Sequence, residues 1–169
     1  ATGVGVAAAV VRGIAARGEG TVGNFWADLV RVTYYLLLPV CLVYAVFLVS
    51  QGVVQNFGAC TQVVTVEGAT QELPQGPVAS QVAIKMLGTN GGGHMNANAA
   101  HPFENPTPLS NFVQMVSVFA VGSGLTWYLG RMARHPGHGW SVWLAMMMLF
   151  VAGVAACGWA EAAGNPGHH

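Results

Sequence analysis

Three stretches of the chain carry no charge and approach or exceed the ~20 apolar residues that a bilayer crossing needs: Val32 to Val49, Pro108 to Gly130, and Gly139 to Ala160. The flanks of the first extend it. A shorter apolar run, Gly3 to Val11, is too short to span alone and reads as the tail of a preceding helix. The hydrophobic pattern therefore predicts the end of a transmembrane helix over 1–16, a loop over 17–23, a transmembrane helix over 24–51 and a long polar section over 52–107. Further spans follow over 108–130 and 140–163, separated by a loop over 131–139. Within 24–51, Asn24 is an N-cap candidate, Phe25 and Trp26 suit headgroup level, and Pro39 is a candidate kink. Within 52–77 a short strand is expected at Gln62 to Val66.

The segment "GPVASQVAIKMLG", Gly76 to Gly88, reads as a short helix with Pro77 in its first turn. Its apolar face is formed by Val78, Val82 and Met86 or by Ile84 and Leu87. At ~1.5 Å per residue it reaches only partway through a ~30 Å hydrocarbon core. It either lies on the surface or dips in as a re-entrant unit, with the following glycines returning as extended backbone.

Composition places the chain in a class. Hydrophobic residues make up 53% and charged residues 7%, against about a quarter charged in soluble domains. This is a membrane protein. Net charge is zero, and no basic stripe argues for nucleic acid. Cys41 and Cys157 sit in apolar runs, and Cys60 has no evident partner, so neither a disulfide framework nor a zinc pair is indicated. The first residue is Ala1, within an apolar run, and the sequence is expected to be an excerpt of a longer chain.

Charge also orients the spans. Arg12, Arg17 and Arg31 cluster in one polar break, and Arg131 and Arg134 in another. Between them, Lys85 faces Glu67, Glu72 and Glu104. Basic short loops mark the cytoplasmic side, so the middle section is expected outside. Asp28, the single Asp of the chain, reads as a helix-start charge.

The stretch "KMLGTNGGGHMNANAAHPFENPTP", Lys85 to Pro108, carries the candidate chemistry. A phosphate loop needs a lysine after its glycines and a strand before them, and neither is present. His94 and His101 are not spaced for one helical turn, and no transition-metal site is assigned. His135 and His138 are expected in the solvated 131–139 loop, and His168 and His169 are a terminal pair. An ion pathway uses the residues better. Glycines let successive carbonyls turn toward one axis, where they replace the water around a dehydrated monovalent cation. Thr89 and Asn90 add a hydroxyl and an amide to fix the loop. The short helix points the negative end of its dipole, near Leu87, at the same place.

These residues carry a resemblance. "GPVASQVAIKMLGTNGGGHMNANAAHPFENPTPLSNFVQM" closely resembles the potassium-binding A subunit of the bacterial Kdp-type potassium-transporting P-type ATPase. "GNFWADLVRVTYYLLLPVCLVYAVFLVSQGVVQNF" and "GWAEAAGNP" are similar to the same family. The resemblance implies an all-α membrane protein of potassium-channel-like design, in which a helix, a re-entrant pore loop and a second helix form one repeat, with flanking transmembrane helices. It places K⁺ binding on Thr89, Asn90 and Gly91, with Gly88, Gly92 and Gly93 shaping the filter. It implies K⁺ as the bound substrate ion, no organic cofactor and no catalytic residues in this chain. ATP would be used by a separate catalytic subunit, with small accessory subunits beside it. The location implied is the bacterial inner membrane, with the pore loop on the extracytoplasmic side. Family members often carry two aromatics where this chain has His94 and Met95. A histidine there either titrates with the site or is simply hydrogen-bonded. Lys85 is left between a rim position and one that repels cations. Two other readings remain: a passive potassium channel or cation symporter, and a membrane oxidoreductase subunit with His94 or His101 holding haem or touching quinone.

Overall fold

The structure is a computed structural model that describes residues 1–16, 22–95 and 98–164. Arg17 and its neighbours through residue 21, Asn96 and Ala97 of the return segment, and the terminal His168 and His169 lie outside the described residues. The described chain is mostly helical. Helix α1 is Thr2–Ala15, α2 is Phe25–Ser50, α3 is Val78–Gly88, α4 is Pro108–Met132 and α5 is Pro136–Ala162. Helices α2, α4 and α5 are long and apolar enough to cross a membrane.

Helix α2 begins at the Asn24 cap, whose Oδ1 accepts from the amides of Trp26 at 3.0 Å and Ala27 at 3.2 Å. It is not uniform. Residues Val32–Leu37 form a π-helical turn, and the Leu38 amide donates to the Thr33 carbonyl five residues back. Pro39 explains the position of this turn. It has no N–H to give, and its ring crowds the carbonyl four residues earlier. The looser turn just before it accommodates both demands. Thr33 Oγ1 donates to the Leu29 carbonyl at 2.7 Å within the same region.

The section after α2 departs from an all-α expectation. Strand β1, Thr61–Val64, pairs antiparallel with β2, Thr70–Leu73, with Thr61 opposite Leu73 and Val64 opposite Thr70. The strand thus starts one residue earlier than Gln62 and stops before Thr65. Its partner, "TQEL", carries no apolar alternation, and the hairpin is exposed apart from the half-buried Val63 and Leu73. The turn between the strands uses Gly68 at φ +82.

The chain divides into two compact units, Ala1–Val6 with Asn24–Gly122, and Ala7–Gly23 with Ser123–His169. The first has a core of Tyr44, Leu48, Val53, Val78, Ala79, Val82, Ala83, Met86, Leu87 and Ala99. In the second, α4 and α5 approach closely. A Cβ added at Gly139 would stand 2.6 Å from the Thr126 carbonyl oxygen and 3.2 Å from the Gly130 Cα. Small residues permit such backbone contact between membrane helices. Trp143 Nε1 donates to Ser123 Oγ at 3.1 Å across the same contact.

The loop expected over 131–139 shrinks to Ala133–His135. Arg134 takes φ +54, its amide bonds the Arg131 carbonyl, and the His135 amide bonds the Gly130 carbonyl. That is the Schellman pattern for ending a helix. Pro136 then opens α5 from its first position, where a missing N–H costs nothing. His138 is therefore in the first turn of α5, stacked on His135 at 4.6 Å between ring centroids.

Candidate functional site

The site is built on α3, and the chain leaving α2 fixes where α3 starts. The first amides of a helix have no partner inside it. Here the Ala79 amide donates to the Val54 carbonyl at 3.0 Å, and the Ser80 amide to Gln55 Oε1 at 3.0 Å. Asn56 Oδ1 accepts from the Gly76 amide at 3.0 Å, and Asn56 Nδ2 donates to Gln75 Oε1 at 2.8 Å. Pro77 occupies the cap position rather than the first turn. The face of α3 that packs into the core carries Val78, Val82 and Met86 together with Ala79, Ala83 and Leu87. Ile84, the other candidate, is 54% exposed. At 11 residues the helix is about 16 Å long, roughly half a hydrocarbon core.

Gly88 is the last residue of α3, and Thr89 follows in the left-handed region at φ 47, ψ 36. Gly91 is also left-handed, at φ +72, while Asn90 between them is not. Alternation of hand at successive residues turns the peptide planes of the loop. Asn90 Oδ1 accepts from the Gly92 amide at 3.1 Å, an Asx turn that closes the loop on itself. Thr89 through Gly92 are exposed and Gly93 is half-buried. The six predicted residues thus run on from the carboxyl end of α3, with Gly88 closing the helix and Thr89 to Gly93 forming the loop.

Two charges lie under this turn. Lys85 and Glu104 are 4% and 0% exposed, and Lys85 Nζ donates to Glu104 Oε2 at 2.7 Å. The other oxygen, Oε1, accepts from the Met95 amide at 3.3 Å, and the His94 amide also bonds the carboxylate. Burial alone pushes the Glu104 carboxyl up. The Lys85 hydrogen bond, the Met95 amide, the Lys85 charge and the His94 amide together outweigh it and hold the group below the ordinary carboxylate value. The lysine also touches the loop: a Cβ at Gly93 would stand 2.5 Å from Nζ and 3.3 Å from Cδ. Lys85 is therefore neither a rim residue nor a bare cation.

The return segment leads into α4 through a chain of polar contacts. Asn98 and Ala99 are both left-handed, at φ 48 and φ 61, and Ala99 is buried in the core. Gln114 of α4 donates through Nε2 to the Glu104 carbonyl at 2.9 Å. Thr107 and Ser110 cap α4 reciprocally: the Ser110 amide donates to Thr107 Oγ1 at 3.0 Å, and the Thr107 amide to Ser110 Oγ at 3.1 Å. Thr107 Oγ1 donates in turn to Gln51 Oε1 at the end of α2, at 2.8 Å. Deeper along the helices, Tyr44 Oη and Ser117 Oγ pair at 3.2 Å.

His94 and His101 lie on either side of Asn96 and Ala97 in the return segment. His94 is exposed, with its ring 3.4 Å from where a Gly76 Cβ would be. His101 Nδ1 accepts from the Phe103 amide at 3.2 Å, and its ring lies 5.1 Å from that of Phe103. Sequence reasoning left Lys85 without a partner and missed Glu104, Asn56 and Gln114 as parts of the site. The available hint was the pairing of one lysine with one glutamate inside a stretch otherwise free of charge.

Comparison with known proteins gives a consistent result. The family model described as potassium-transporting ATPase A subunit matches residues 1–169. A protein of Methylobacterium nodulans, named potassium-transporting ATPase potassium-binding subunit, is 58% identical over 166 residues, covering 98% of this chain and 29% of its own length. Its namesake in Bradyrhizobium diazoefficiens is 57% identical over 169 residues, 100% of this chain and 30% of that protein. One from Methylobacterium radiotolerans is 58% identical over 165 residues, again 98% and 29%. The chain spans about three-tenths of the length of these curated relatives. Matched along its whole length by the family model and by relatives of this identity, the chain belongs to the potassium-transporting ATPase A subunit family.

Proposed function

We propose that the chain forms one K⁺-selecting pore-loop unit of a potassium-binding subunit in an ATP-driven K⁺ uptake complex. On this reading α2 is the outer helix, α3 the pore helix, Gly88 to Gly93 the filter and α4 the inner helix. The carbonyls around Thr89, Asn90 and Gly91 replace the hydration shell of K⁺. The carboxyl end of α3 adds its partial negative charge. ATP hydrolysis belongs to a separate P-type catalytic subunit, with small accessory subunits in the same complex. The unit sits in the bacterial inner membrane with its loop on the extracytoplasmic side, as the arginine distribution supports.

The observation that carries this reading is the backbone of the loop. Thr89 is β-branched and left-handed, a conformation that such residues almost never take. It costs on the order of 1–3 kcal/mol and persists where the surroundings and the function require it. It stands where a buried short helix ends and an exposed, glycine-rich turn begins. The family's name, potassium-transporting ATPase A subunit, favours ATP-driven uptake over a passive channel or symporter, and over a haem- or quinone-binding role for His94 or His101.

Gly91 supplies the test. Its φ of +72 disfavours any L side chain, although open space surrounds it, with Asn98 Oδ1 the nearest atom at 3.9 Å. Gly91→Asp or Gly91→Ser in the full-length protein and its complex is expected to lower the apparent K⁺ affinity and to relax discrimination against Rb⁺ or Na⁺. Unchanged K⁺ dependence of transport would sink the filter assignment. ATP-independent uptake by the full-length protein would favour the channel or symporter reading.

A further inference from the structure

We propose that the buried Lys85–Glu104 pair sets the ion selectivity of the loop, with Glu104 cancelling the Lys85 charge beside the filter and anchoring the loop's exit at residues 93–95. The proposal rests on the filter reading of Gly88 to Gly93.

Three observations support it. First, the pair encloses the loop in sequence and in space. Lys85 is one helical turn before Thr89, Glu104 lies in the return segment, and they meet at 2.7 Å. Second, every strong partner of Glu104 belongs to the loop or its frame. Its carboxylate takes the Lys85 ammonium and the amides of His94 and Met95, and its carbonyl takes Gln114 of α4. Third, the ammonium reaches the filter itself, since a Cβ on Gly93 would collide with Nζ at 2.5 Å. Gly93 has no positive φ, and the space its missing side chain leaves is taken by the lysine.

Stability alone does not account for such a pair. Apolar residues of similar volume usually serve as well as a buried ion pair, whereas removing one partner leaves an uncompensated charge. Beside a cation site the sign of that charge matters. An unpaired ammonium at Lys85 repels an approaching cation with little screening, and an unpaired carboxylate at Glu104 attracts one. A merely structural pair would make both single losses harmful in the same direction. A selectivity pair makes them opposite.

The experiment compares Glu104→Gln, Lys85→Met and the double variant in the full-length protein within its membrane complex. It reads the apparent K⁺ affinity of transport and the competition by Rb⁺ and Na⁺, normalised to assembled complex. Glu104→Gln keeps a hydrogen-bond acceptor for the two amides but leaves the ammonium unpaired. It is expected to weaken K⁺ by about tenfold or more, a factor of ten being ~1.4 kcal/mol. Lys85→Met is expected not to weaken K⁺ and to admit Na⁺ as a competitor. The double variant leaves no charge unpaired and is expected to return to within about threefold of the parent. The proposal is overturned if both single variants weaken K⁺ alike with unchanged Rb⁺ and Na⁺ competition, or if Glu104→Gln leaves K⁺ dependence untouched. Should Glu104→Gln fail to accumulate, a double variant further than that threefold from the parent overturns it as well. Gly91→Ser in the same assay separates the two levels. If it shifts K⁺ dependence and Glu104→Gln does not, the pair proposal falls and the filter reading stands. If neither shifts it, both fall.

Discussion

At the scale of single residues the site depends on a few side chains that do unusual things. Thr89 holds a left-handed backbone, Gly91 does so at no steric cost, and Glu104 is fully buried against Lys85. The last has a pH consequence. Because the folded-state pKa of Glu104 lies below its ordinary value of 4.5, the carboxylate contributes stability that is fully present above the unfolded value. That contribution is lost as pH falls through the lowered folded value. The thermal midpoint of the full-length protein should therefore drop as pH goes from about 5 toward 3, and Glu104→Gln should remove that part of the drop. An identical acid limb in the variant would contradict the assignment. The turn at Asn90 and Gly91 was legible in the sequence because residue type argues for it, glycine permitting the turn and Asn90 closing it, whereas the ion-binding expectation came from the family resemblance and the left-handed Thr89 from neither. The pairing of Lys85 with Glu104 was not legible, because they are 19 residues apart and a lone lysine near a loop carries no sign of what neutralises it.

At the scale of elements, local chemistry marked most boundaries and tertiary contacts moved the rest. Asn24 caps α2 as its residue type argues, and Thr107, which the sequence reading did not single out, caps α4 ahead of Pro108. The π turn before Pro39 has no signature beyond the proline itself. The residues that cap α3 come from the Val54–Asn56 segment, more than 20 positions upstream, so no local motif announces them. The link between α4 and α5 shows the opposite failure. "RHPGHG" has the composition of a loop, yet Arg134 ends one helix and Pro136 starts the next. Gly139 then lies inside α5 at its contact with α4. Gly139→Ala should destabilise that contact by about 1–3 kcal/mol, because its Cβ would meet backbone that cannot move independently. The check is the thermal midpoint of the full-length protein in detergent, and an unchanged midpoint would refute the close approach.

At the scale of the whole molecule, the three candidate spans are nearly bare within this chain. The most apolar window of α5 is 0% buried, that of α2 11% and that of α4 17%. Their remaining surface has to meet lipid or further protein, since so much apolar area does not face water. The apolar pattern and the charge deficit made the membrane class and the three spans readable from the sequence. What one loop cannot supply is a closed ion path, because its carbonyls line one side only. On the proposed reading, the rest of the full-length protein contributes the other sides, and α3 with its loop is one part of a shared axis. The most direct test is to locate the ion. Anomalous scattering from Tl⁺, a K⁺ substitute, in crystals of the full-length protein should give a peak coordinated by backbone carbonyls of Thr89, Asn90 and Gly91, and K⁺ should displace it. A bound ion elsewhere in the protein, with no peak at this loop, would contradict the account.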